Sequence, residues 1–168
     1  MNAQDIILNS RLLHVRELKT EVDRLKAENA RLRDENESWR NHFDLALLAV
    51  DDLQRLPETG TLVIWDGWNA ILSADKVAHT REELEASARE YLAAHPSDRV
   101  WIVYDGPRAH TREETRLRIT YTGGTGLHRA DRFICDYVRM AGRLGKSNRL
   151  KVQTADRDFK REIDRLLT

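Results

Sequence analysis

From Val15 to Leu53 the chain repeats apolar residues on a seven-residue period. With Val22 at heptad position a, Val15, Val22, Asn29, Asn36, Phe43 and Val50 fall at a, and Leu18, Leu25, Leu32, Trp39, Ala46 and Leu53 fall at d. A seam this narrow does not supply the broad stripe that a helix buries against its own domain, but it suits two helices wound around each other. The same register puts Glu21, Glu28 and Glu35 at g, and Lys26, Arg33 and Arg40 at the following e positions of a parallel partner. Three opposite-charge pairs result. Asparagine at a bonds its counterpart across a two-stranded seam and is poorly satisfied in larger assemblies, so Asn29 and Asn36 select a dimer. The expectation is a parallel homodimer through residues 15–43. Beyond Ala46 the seam weakens, because Leu45, Leu47 and Leu48 spread apolar surface around the helix. The turns up to residue 53 therefore either extend the seam or pack on the domain that follows. From Val15 to Leu53 such a helix runs about 58 Å at 1.5 Å per residue. Pro57 and Gly60 end it, dividing the chain into a coiled-coil helix over 1–57 and a domain over 61–168. A basic leucine-zipper reading is disfavoured: residues 1–17 hold only Arg11 and Arg16, not the dense basic region that precedes such zippers.

Charged residues make up 33% of the chain, above the roughly 25% of ordinary globular domains, as a long solvated helix requires. The single cysteine, Cys135, has no partner for an intrachain disulfide, and no stretch approaches the ~20 apolar residues of a membrane span. The apolar run Ile6, Ile7, Leu8 is too short for a signal core. A cytoplasmic location without membrane attachment is expected. The formal net charge is zero, yet residues 108–151 carry 11 basic against 4 acidic side chains, a balance that favours a polyanionic partner if they share a face.

After residue 60 the pattern changes. Residues 61–65 form a β-rich apolar run ending at Asp66, and residues 100–104 form another ending at Asp105. A helix over 79–95, starting near Thr80, lies between them, which is the order of a parallel crossover unit. An arginine-rich segment follows, then a weaker strand at 117–122, the glycine loop 123–126 and a helix over 128–143 beginning near Asp131. A strand at 149–154 leads into Asp156, and a helix over 157–167 closes the chain. Ligands of parallel α/β sheets bind beyond the carboxyl ends of the strands. Asp66, Asp105 and Asp156 belong at that edge, and Asp131 approaches it from the side. Each aspartate alone is more often a turn former or a helix cap. Four carboxylates at one edge repel unless a cation neutralises them, and oxygen ligands suit Mg2+ or Mn2+ better than zinc.

These segments resemble the YacP-like NYN domains, a branch of the PIN-like metal-dependent ribonucleases. Residues 62–71 are similar to the family's opening strand and its Asp-Gly-aromatic-Asn signature (Asp66, Gly67, Trp68, Asn69), and Val103 to Gly106 resemble its second acidic motif. Tyr121 and Thr122, with Ala130 to Ile134, resemble its strand, loop and helix start. Thr154, Ala155, Asp156, Arg157 and Asp158 resemble its closing acidic motif. The resemblance covers residues 61–168. It implies a three-layer α/β/α PIN-like domain with a mostly parallel central sheet, preceded here by the long coiled-coil helix. It also implies a metal-dependent ribonuclease, with internal or terminal cleavage left open. Arg132 departs from the pattern, standing where the family often has a second aspartate.

Hydrolysis of a phosphodiester needs an activated water and a cation that offsets charge on the phosphoryl oxygens. The expected catalytic groups are Asp66, Asp105, Asp131 and Asp156, with Asp158 joining them as a metal ligand. Asn69 and Thr154 are supporting groups that contact substrate. Of Arg108, Arg112, Arg116 and Arg118, the first two are expected to hold the backbone of an RNA strand, though solvated arginines are at least as common as phosphate contacts. Trp68 and Tyr121 are capable of base stacking but serve equally well as packing. Two other readings compete. One is an inactive relative, favoured by Arg132, that binds nucleic acid or protein and is recruited to a larger complex through its zipper. The other is a nucleotide-binding domain using residues 123–126, which lack both Gly-x-Gly-x-x-Gly spacing and a Walker lysine.

Overall fold

A computed structural model describes the backbone of residues 3–72, 78–123 and 128–168, with side chains over 14–33, at 36 and from 44 onward within those spans. Helix α1 runs Ala3–Arg55, and the chain divides into two compact units, Met1–Phe43 and Asp44–Thr168.

In the first unit the seam residues are bare in the single chain. Val15, Leu18, Val22, Leu25 and Leu32 are each about half exposed or more. Glu21 pairs with Arg24 at 2.8 Å and Glu28 with Arg31 at 2.7 Å along the helix. The side chains of Glu35, Trp39, Arg40 and Phe43 lie outside the described residues, as do Gly124, Thr125 and Gly126.

The second unit is α/β. Its strands are β1 (Leu62–Asp66), β2 (Arg99–Tyr104), β3 (Ala109–Glu113), β4 (Leu117–Thr122) and β5 (Leu150–Gln153), in the spatial order β3-β4-β2-β1-β5. β2 is central and parallel to β1 and β4, and β1 is parallel to β5 at the far edge. Only β3 is antiparallel, pairing with β4. The helices are α2 (Gly67–Leu72), α3 (Arg81–Ala94), α4 (Arg129–Arg143) and α5 (Arg157–Leu167), with a 3-10 turn at Ser147–Arg149. None of the described helices is long and apolar enough to cross a membrane.

The central strands are apolar at successive positions because both sheet faces are covered. Leu62, Ile64, Trp101, Val103 and Leu150 pack with Ile134, Val138, Phe159 and Ile163 from α4 and α5. Val63, Trp65, Val100, Ile102, Tyr104, Leu117 and Ile119 pack on the opposite side with Leu84, Ala88 and Leu92 from α3. Leu45, Ala49, Leu53 and Leu56 belong to the first of these clusters. Their spacing lays one face of the last helical turns into the core, so the α/β unit starts at Asp44 and not at residue 61. Of the wider apolar stripe, Leu45 therefore packs in the core and Leu48 against it, while Leu47 is exposed. Asp52, on the same turns, is buried against Arg118 at 2.6 Å.

Helix starts follow local chemistry. Thr80 caps α3, its hydroxyl accepting from the Glu83 amide at 3.1 Å. Asp156 caps α5, accepting from the amides of Asp158 at 2.8 Å and Phe159 at 3.0 Å. Two elements go beyond the sequence reading. β3 occupies the arginine-rich segment; all five of its residues are exposed on an edge, which leaves no apolar alternation to detect. α2 turns sharply out of β1, and Gly67 permits it: a β-carbon there would sit 2.3 Å from the Tyr104 ring.

Candidate active site

The parallel register brings the carboxyl ends of β1, β2, β4 and β5 to one edge, and the aspartates expected there sit on it. Asp66 is the last residue of β1 and is 2% exposed. Its Oδ1 accepts from the Asn69 amide at 3.4 Å; its Oδ2 accepts from Asn69 Nδ2 and from Thr154 Oγ1, the latter at 3.2 Å. Burial pushes the Asp66 carboxyl above the usual carboxylate range. The bonds from Asn69 and Thr154 oppose that rise, and the negative charge of Asp131 adds to it. A buried carboxylate raised by desolvation and by a neighbouring carboxylate is a group that gains from a cation.

Thr154 links Asp66 to the closing motif. Its hydroxyl donates to Asp66 and accepts from the Asp156 amide at 3.2 Å. Asp105 stands beyond β2, where its Oδ1 accepts from Thr122 Oγ1 at 3.2 Å and from the Ala130 amide at 2.7 Å. It thereby supplies the cap that α4 lacks, since His128, at the N-cap position with φ 56°, makes no side-chain cap bond. An acid at a helix N-terminus is favoured by both the free amides and the helix dipole. Asp131, in the first turn of α4, has its Oδ2 2.9 Å from His128 Nδ1.

The expected residues are not equivalent. Asp66, Asn69, Thr154 and Asp156 form one hydrogen-bonded chain, and the charge of Asp131 helps to raise the Asp66 carboxyl. Asp158 does not join them: its side chain is 86% exposed and paired with Arg161. Arg112 lies further down β3 and is ion-paired with Glu85 of α3. Arg108, just before β3, is exposed at the carboxyl edge. Arg116 donates to the carbonyls of His95 and Asp98 at 3.0 and 3.4 Å, and Arg118 is buried, so both serve the scaffold. Among the described residues, no three His, Cys, Asp or Glu side chains come close enough to hold a metal by themselves. No family model, curated protein or solved structure matches the chain.

The donor set still fits a hard cation. Mg2+ keeps several waters and is usually held by one or two carboxylates together with substrate phosphates, so it needs no all-protein cage. Asp66 and Asp131 would be such a pair. Beside them runs a groove of about 460 Å³ between α4 and α5, lined by Asp131, Arg132, Asp156, Asp158 and Glu162 among others.

Thr122 and Tyr104, which lie within the motifs quoted above, carry roles that the sequence did not assign them. Thr122 orients Asp105, and the buried Tyr104 ring stacks on Tyr121 at 5.1 Å while meeting Trp68 edge-on at 5.5 Å. The signal for Thr122 was available, since it ends the strand that pairs with β2 one residue before Asp105.

Asp156 offers a test that separates capping from charge. Asp156→Ala should cost about 1 kcal/mol of stability through loss of the α5 cap. Asp156→Ser should restore most of it, because serine also caps, without restoring the carboxylate. Denaturant melts of both variants check this; equal losses would show that the cap contributes little.

Proposed function

We propose that the chain is a divalent-metal-dependent nuclease that hydrolyses phosphodiester bonds in single-stranded RNA and is dimerised by a parallel coiled coil. The supporting observation is the buried Asp66, tied through Thr154 to Asp156 and within reach of the charge of Asp131 at the carboxyl edge of a mostly parallel sheet. The resemblance of residues 61–168 to YacP-like NYN domains supports the same reading and assigns the unit to a three-layer PIN-like arrangement.

In this mechanism Asp66 and Asp131 would hold Mg2+ or Mn2+, and Asp105 and Asp156 would orient water nearby. The metal, when bound, offsets charge on the phosphoryl oxygens and lowers the pKa of water. Asn69 and Thr154 fix the direction of the Asp66 carboxylate, so little reorganisation is needed when substrate arrives. Asp66 must be ionised to act. Its raised pKa makes hydrolysis climb with pH through a carboxylate above the ordinary range and then level off. Cleavage of a single-stranded RNA that requires Mg2+ or Mn2+ and stops on chelation tests the reading; metal-independent cleavage, or none with either ion, rejects it.

A second reading has its own observation. Asp158 points to solvent, Asp156 is engaged as a helix cap, and Arg132 lines the groove beside Asp131. An inactive module that binds nucleic acid or protein, recruited to a larger complex by its zipper, accounts for this equally economically. RNA binding without metal-dependent cleavage would favour it.

The occupant proposed for the α1 seam is a second copy of the chain. In a parallel pairing Glu21 and Glu28 meet Lys26 and Arg33, and Leu18, Leu25 and Leu32 close the seam. Leu25→Glu with Leu32→Glu should turn the full-length dimer into a monomer in sedimentation equilibrium while leaving hydrolysis of a short oligonucleotide largely unchanged. A wild-type chain that sediments as a monomer at micromolar concentration would remove the dimer.

A further inference from the structure

A stack of rings climbs from the core to solvent at the carboxyl edge of the sheet. Its floor is Tyr104, fully buried on the α3 side. Tyr121 lies on Tyr104 with ring centroids 5.1 Å apart and planes 21° apart, and His110 lies on Tyr121 at 4.3 Å and 11°. His110 is exposed on the edge strand, directly opposite Tyr121 in the register. The Tyr121 hydroxyl accepts from Arg81 Nη1 at 3.2 Å, which fixes the middle ring. Cross-strand ring pairs stabilise sheets by a few tenths of a kcal/mol to about 1 kcal/mol, and that is the plain account of His110 on Tyr121. It does not account for the rest of the surroundings. Arg108, two residues earlier in the chain, is an exposed cation without an ion pair among the described residues, and Arg81 reaches the stack from α3 through the Tyr121 hydroxyl.

We propose that the outer face of His110 is a landing platform for an unpaired nucleobase, with Arg108 meeting the adjoining phosphate of a single strand. The proposal rests on the reading of the chain as a nucleic-acid enzyme and names how that site takes its substrate. Single-strand sites combine a cationic track with flat rings, because every base has a π-face and stacking tolerates any sequence. A ring already locked on two others loses little freedom when a base lands on it, so more of the stacking energy is retained as affinity. The platform lies where β3 begins: Ala109 pairs with Thr122, whose hydroxyl binds Asp105. A strand anchored there reaches the carboxyl edge that holds the acidic groups. Bases inside a duplex present no free face to His110, which gives the preference for single strands a physical cause.

The test uses the full-length protein in chelator, so that nothing is cut, and the anisotropy of a labelled oligouridine, an abasic oligomer of the same length, oligothymidine and a duplex. The oligouridine should bind about five-fold or more tighter than the abasic oligomer, the lower end of what one stacked base contributes. His110→Ala should abolish that difference, His110→Trp should widen it, and Arg108→Ala should weaken all oligomers by a similar factor. Oligothymidine binding as well as oligouridine assigns the platform to single strands in general, and weaker binding assigns it to RNA; either result sustains it. Equal affinity for the abasic oligomer, an unchanged His110→Ala variant, tighter duplex binding, or no binding by folded protein overturns the platform. Base-dependent binding without cleavage in Mg2+ removes the nuclease reading alone, and cleavage without base dependence removes the platform alone.

Discussion

Asp66→Asn is expected to slow metal-dependent hydrolysis by about two to three orders of magnitude, since a lost Lewis-acid site is worth several kcal/mol of barrier. The same change should raise the melting temperature at neutral pH in chelator, where no cation offsets the buried charge. Asp66 is 2% exposed, and burial lifts its pKa above 3.8 in the folded chain. A carboxyl with a raised folded pKa contributes stability that is fully present below the unfolded value of 3.8 and is lost as pH rises through the folded value. Above its folded pKa the wild type carries an ionised, desolvated group, and the amide removes that cost. The asparagine can keep its oxygen toward Asn69 Nδ2 and Thr154, giving up only the 3.4 Å bond from the Asn69 amide. A gain of about 2–4 °C corresponds to each kcal/mol relieved in a chain of this size. The gain should vanish toward pH 3, where the wild-type carboxyl is protonated. A variant that melts lower at neutral pH, or that still hydrolyses at the wild-type rate, would refute the assignment of Asp66 as a charged site held against its own desolvation.

Removing the Asp52 carboxylate should do the greatest damage to stability. Arg118 lies 2.6 Å from Asp52, with side-chain exposures of 7% and 2%, and its guanidinium sits 5.1 Å from the centre of the Trp101 ring. Tyr137 also donates to Asp52, at 3.0 Å. Burial by itself would lower the Arg118 pKa, but the bond and charge of Asp52, with help from Glu113, more than reverse this. Asp52→Ala leaves a buried guanidinium with only the half-exposed Glu113, and a buried hydroxyl without its acceptor. The expected cost is about 3–5 kcal/mol, read as a fall in denaturant midpoint at unchanged slope. Asp52→Leu combined with Arg118→Met should recover most of it, because replacing both charges by apolar groups is often neutral or better. A single-variant loss of about 1 kcal/mol or less would mean that water reaches Arg118 readily.

Much of the fold was legible because its signals are local. The runs at 61–65, 100–104 and 117–122 match β1, β2 and β4 within a residue or two, and Thr80 and Asp156 cap helices where a polar residue precedes an amphipathic run. β3 was hidden because an edge strand exposed on both faces has no alternation, and its residues looked like a basic tract. That error of kind matters for the site. As a tract, its Arg108 and Arg112 together were expected to hold an RNA strand. As a hairpin it divides: Arg108 stays at the carboxyl edge, Arg112 pairs with Glu85, and Arg118 is buried on the other face.

The chain's one-dimensional pattern determined that a narrow heptad seam precedes an alternating α/β unit, and that its strands end in aspartate, since period and chain order need no partner to be read. Tertiary structure decided that the last turns of α1 belong to the α/β core, that Asp66 is buried within reach of the charge of Asp131, and that Asp158 stands apart. Burial, and with it pKa and pairing, depends on atoms brought together from distant positions, which no local spacing encodes.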